Sequence, residues 1–87
     1  MPEISRFHGI RIRMHFGDRE HPPPHFHAVH GHPKVIVGLK GSVLEGDLPA
    51  AQLLLIRAWV GKHQAELTRN WELCQANKNP LRIEPLD

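Results

Sequence analysis

The chain has 87 residues, with 11 Lys and Arg against 9 Asp and Glu, 40% hydrophobic and 23% charged. That size suits one domain over 1–87, holding one small sheet and one or two helices, and excludes a cofactor domain joined to a substrate domain. The balance is globular, no apolar run approaches the roughly 18 residues that span a bilayer, and residues 1–13 lack an apolar h-region, so the expectation is no signal peptide, no membrane association and a cytoplasmic location. The single cysteine, Cys74, excludes an internal disulfide and a cysteine zinc cage, and reads as a small buried hydrophobe.

In chain order, Ile10, Ile12, Met14 and Phe16 alternate with Arg11, Arg13 and His15, which predicts a first strand over 10–16 with its apolar side in the core. Gly17-Asp18 opens a loop, and Pro22-Pro23-Pro24 holds it extended. A second strand follows over 25–29. The turn Gly31-His32-Pro33 leads to a third over 34–39, and Gly41 turns into a short fourth over 42–45. The short connections argue for an antiparallel meander.

At Asp47 the apolar period changes from 2 to 3.6. Asp47 reads as a helix N-cap with Pro49 in the first turn. Leu53, Ile56, Val60, Leu67, Trp71 and Cys74 then form an amphipathic stripe, with His63 in its one gap. Both Trp59 and Trp71 read as core residues. One unbroken helix over 49–76 would be about 42 Å long and would overhang short strands. A bend near Gly61 is therefore expected, or a homodimer that uses the overhang. Asn77-Lys78-Asn79-Pro80 ends the helix, and residues 81–86 can return as a fifth, edge strand, limited by Pro85. The predicted fold class is α+β: an antiparallel sheet of four strands, or five, packed on one face by the C-terminal helical segment.

Histidine is the outlying number, with 8 in the chain and six of them between His15 and His32. Residues 1–40 hold six basic and three acidic side chains, so the positive surface belongs to the N-terminal half. If Phe26 and Ala28 face the core, His25 and His27 share the opposite face. Pairing with the first strand adds Arg11, Arg13 and His15, and Lys34 joins from the third. His21 approaches from the proline loop. Three readings of this cluster compete. One is a solvated polar face. The second is a metal site, in which His25 and His27, with His21 or His15 as a third ligand, hold a zinc-type ion with one open position. The third is a phosphate or RNA site, in which Arg11, Arg13 and Lys34 hold the anion while His25 and His27, beside Arg13, exchange protons as catalytic groups.

The runs Met1-Pro2-Glu3-Ile4-Ser5-Arg6-Phe7, Ile12-Arg13-Met14, Glu20-His21 and Pro23-Pro24-His25-Phe26-His27 continue in Val43-Leu44-Glu45-Gly46, Leu48-Pro49, Trp59, Asn70-Trp71 and Ile83-Glu84-Pro85-Leu86. Together they resemble the small bacterial family catalogued as domain of unknown function 4160, over essentially the whole chain. Pro22 and the extra His30 and His32 depart from its pattern. The resemblance implies that Arg13, His21, His25 and His27 are the positions to watch, with Glu45 a more distant fifth. It also implies a small cognate protein partner. Members often sit beside a second small domain, of unknown function 2442, in a two-gene arrangement that suggests a toxin–antitoxin module. The expected function is thus a cytoplasmic, toxin-like component whose basic, histidine-lined sheet face binds or cleaves RNA. The alternatives are a zinc-type regulatory or enzymatic domain and a non-catalytic protein-interaction module.

Overall fold

The computed structural model describes residues 2–16 and 22–87. Five antiparallel strands lie side by side in chain order: β1 (Glu3–Phe7), β2 (Ile10–Arg13), β3 (His25–His30), β4 (Lys34–Gly38) and β5 (Val43–Gly46). Two helices follow, α1 (Ala50–Lys62) and α2 (Gln64–Gln75), and pack against the sheet to give the expected α+β arrangement.

The fifth strand is at the front of the chain, not the back. His8 and Gly9 both adopt positive φ, 50° and 77°, which is the two-residue turn that matches the twist of a hairpin. They fold β1 onto β2. A bulge between Glu3 and Ser5 breaks the alternation of β1, so Ile4 and Ser5 are both buried and no period of two is visible in the sequence. Residues 81–86 run extended beside β1 but do not form a strand. A single backbone bond joins them there, from Ile83 N–H to the Ile4 carbonyl at 2.7 Å, and Pro85 has no N–H to extend a ladder.

The first expected strand is shorter than its pattern. β2 ends at Arg13, although Met14 keeps a bond from its N–H to the Pro2 carbonyl and is fully buried. Phe16, past the strand end, is 38% exposed rather than in the core. The expected loop start at Gly17-Asp18 lies outside the described residues, as does His21.

The helical segment breaks at His63, two residues beyond Gly61. With φ −130° and ψ 31°, His63 ends α1 and starts α2. Its N–H donates to the Val60 carbonyl at 3.1 Å, and its own carbonyl accepts from Leu67 N–H at 2.9 Å. Its Nδ1 lies 2.6 Å from Glu66 Oε1 in the first turn of α2. At 1.5 Å per residue the two helices are about 20 and 18 Å long, in place of one unbroken helix of about 42 Å. Asp47 is not the helix cap. It sits ahead of the helix and accepts from Leu48 N–H, while Pro49 is the cap and its carbonyl accepts from Gln52 and Leu53 N–H.

The core is built around Trp59, fully buried, with Phe7 and Phe26 at centroid distances of 5.4 and 5.8 Å. Ile10, Ile12, Phe26, Ala28, Val35 and Val37 present the sheet to Ile56, Val60, Leu67 and Cys74 of the helices. Trp71 is only partly buried, contrary to its expected place in the stripe. The inward positions of α2 are Leu67, Asn70 and Cys74, which continue the face of Ile56, Trp59 and Val60; Trp71 lies beside that face and falls to the rim. Asn70 is buried because it clamps the C-terminal segment, donating to the Leu81 carbonyl and accepting from Leu81 N–H, each at 2.8 Å.

Candidate functional site

Residues directly opposite one another in neighbouring strands point to the same face, so the register alone assembles the surface away from the helices. One row crosses all five strands: Glu3, Arg13, His27, Ile36 and Glu45. The next row holds Arg6, Arg11, Val29 and Lys34. His25, opposite Gly38, belongs to the same face. The expectation that Arg11, Arg13, His25, His27 and Lys34 share one surface agrees with this register. His21 lies outside the described residues, so the expected metal set of His21, His25 and His27 has no described geometry. Among the described residues no group of three or more His, Cys, Asp or Glu is arranged to hold a metal ion.

Within this face the side chains differ in access. Lys34 is exposed, and Arg11, Arg13 and His27 are half-buried. His15 stacks on His27, with ring centroids 3.8 Å apart and planes within 10°. His25 is only 7% exposed, held between His27, 5.4 Å away edge-on, and Trp71 at 5.1 Å. Its Nδ1 is 2.9 Å from the Pro23 carbonyl. A carbonyl can only accept, so Nδ1 carries the proton.

The far end of the five-strand row is a concavity of about 410 Å³ lined by His27, Lys34, Val35, Ile36 and Glu45. Gly46 closes it. There φ is +81°, and a Cβ would collide with the Lys34 carbonyl, so β5 approaches β4 this closely only with glycine. At the other end Glu3 is occupied. Arg6 donates to it at 2.8 Å and Arg82 at 3.1 Å. The Arg6 hydrogen bond, with Arg82 beside it, holds the Glu3 carboxyl below the usual carboxylate range. Elsewhere, burial pushes the Cys74 thiol up, as suits an inert core sulfur.

Glu3, Arg6 and Ile36 belong to this face but were not site candidates from sequence. The first two were missed because the bulge hides β1. Ile36 was missed because an aliphatic residue in a β-branched run reads as core until the register assigns its face.

The profile for Domain of unknown function (DUF4160) matches residues 9–72. No curated protein and no solved structure matches the chain. Residues 9–72 are most of the chain and contain β2 to β5, α1 and most of α2, so this protein belongs to the DUF4160 family.

Proposed function

We propose that the open sheet face binds single-stranded RNA, as the working surface of a toxin-like protein held in check by a small cognate partner. The observation that carries the RNA reading is the pair of adjacent rows in which Arg11, Arg13 and Lys34 surround the stacked imidazoles of His15 and His27. Cations on a sheet contact phosphates, while flat rings beside them stack on unpaired bases. Ile36 and Val29 add half-buried aliphatic ground between the charges. The toxin-like role and the partner rest on the resemblance to the family.

The test is fluorescence anisotropy with a labelled single-stranded RNA octamer. Three phosphate contacts give a slope of log affinity against log salt of about −2, and Arg13→Ala removes about 0.7 of that slope. A slope unchanged by Arg11→Ala, Arg13→Ala and Lys34→Ala sinks the reading. Cleavage is the stronger form of the same proposal. One imidazole takes the 2′-hydroxyl proton as that oxygen attacks phosphorus. A protonated one returns a proton to the departing 5′-oxygen, leaving a cyclic phosphate and a 5′-hydroxyl. An RNA cut by the wild type while its 2′-deoxy analogue stays intact supports this form, and intact RNA rejects it.

A second reading is a zinc-type site. It is favoured by the Pro23 carbonyl on His25 Nδ1, because a ligating histidine commonly donates its other N–H to such an acceptor. Elemental analysis of the purified protein, repeated on His25→Ala, decides it. A stoichiometric metal lost in the variant supports this reading.

A further inference from the structure

We infer that the concavity between His27 and Glu45 is a base pocket that selects guanine in single-stranded RNA. This rests on the open face being an RNA surface and names what that surface reads. The cross-strand row places Ile36 between His27 on one side and Glu45 on the other. Neighbouring strands lie about 4.8 Å apart, so the strands that carry His27 and Glu45 stand about 10 Å apart with aliphatic Ile36 between them. One planar base lying on Ile36 fits that gap. The volume of about 410 Å³ falls within the roughly 300–1,000 Å³ of small-molecule sites.

The carboxylate makes the choice. An ionised carboxylate only accepts hydrogen bonds, and its two oxygens suit two adjacent donors. On the Watson–Crick edge only guanine offers that pair, N1–H beside the exocyclic N2 amine. Adenine and cytosine present one donor next to an acceptor, and uracil one donor between two acceptors. Among the described residues Glu45 has no hydrogen bond or ion pair, in contrast to Glu3 at the other end of the row. An acidic side chain on a phosphate-binding face otherwise repels the ligand, so its place there is accounted for by a base rather than the backbone. Lys34, two residues before Ile36 on the same face, is placed to meet a phosphate of the same nucleotide.

The test compares labelled octamers of uridine that carry a single central G, A, C or inosine. The wild type should bind the G octamer roughly five- to tenfold more tightly than the A, C or plain uridine octamers, the lower range for a bidentate pair. Inosine lacks the N2 amine and should fall between G and A. Glu45→Gln should lose the preference for G while binding plain uridine RNA slightly more tightly, because a negative charge is gone. Tighter binding of every octamer by Glu45→Gln, with the G preference absent from the wild type, shows Glu45 to be a charge only and overturns the inference while leaving the RNA face intact. A G preference that survives in Glu45→Gln places the reading elsewhere and also overturns it. Binding of no octamer removes both the pocket and the RNA reading.

Discussion

His15 and His27 stack ring on ring, 3.8 Å between centroids, although twelve positions apart in the chain. His27 is fixed by its ladder position opposite Arg13 in β2 and Ile36 in β4. His15 lies just beyond the end of β2, where the chain has left the ladder. The pair makes a two-ring platform beside Arg13, and a base can extend that stack. His27→Ala should weaken octamer binding about fivefold or more, since stacking on a ring is worth about 1–3 kcal/mol per base. His27→Phe keeps the ring and should recover most of that loss. Equal weakening by both variants in anisotropy titrations would mean that a proton or a hydrogen bond, not the stack, is used.

The two tryptophans should behave differently. Trp59 is fully buried and its Nε1 donates to the Glu84 carbonyl at 2.9 Å. Trp59→Ala should cost about 3–5 kcal/mol in urea unfolding. Trp71, at the rim, should cost about 1–2 kcal/mol on the same substitution. A larger loss at Trp71 than at Trp59 would contradict the place of Trp71 at the rim of α2.

The sheet face was legible in the sequence and the edges were not. Strict alternation in Ile10 to Met14 and the Phe26-His27-Ala28 triplet give faces directly, because a strand has a period of two and nothing interrupts it there. At Glu3–Phe7 a bulge places Ile4 and Ser5 inside together, and the pattern is lost. The change of period at Asp47 correctly marks the onset of the helical region. The break expected near Gly61 falls at His63, two residues on, where the backbone leaves helical geometry. For the site, parity alone groups Arg11, Arg13, His25, His27 and Lys34. The concavity that adds Ile36 and Glu45 needs the pairing of β4 with β5, which contains an irregularity between Ile36 and Val37.

Asn70 holds the C-terminal segment by both ends of its amide. Asn70→Ala should cost about 1–3 kcal/mol, because it leaves the Leu81 N–H and C=O without that partner. Hydrogen exchange at Ile83 should accelerate in this variant. Unchanged protection at Ile83 would show that its bond to the Ile4 carbonyl holds the segment alone.

Acid should loosen the same corner. The Glu3 carboxyl is held low by Arg6 and Arg82, so its contribution to stability is complete above the ordinary value near 4.5 and is lost as pH falls through the lower value it has in the fold. Glu3→Gln should therefore flatten part of the fall in Tm between about pH 5 and 3. A Tm profile identical to the wild type in that range would show that the pair is fully screened by solvent.

Cys74 is fully buried with its thiol pushed up by burial, so it should react with a thiol reagent at neutral pH only after unfolding in guanidinium. Rapid labelling of the native protein would place the sulfur outside the core.

RNA bound to the face of β2, β3 and β4 away from the helices leaves a distinct footprint. Backbone amide chemical-shift mapping with a uridine octamer carrying one G tests it most directly. The largest changes should fall at Arg11, Arg13, His27, Lys34 and Ile36, extending to Glu45, with α1 around the exposed Leu54 unmoved. Changes confined instead to the groove lined by Pro24, Leu39, Leu44 and Trp71, or none at saturating RNA, would contradict it.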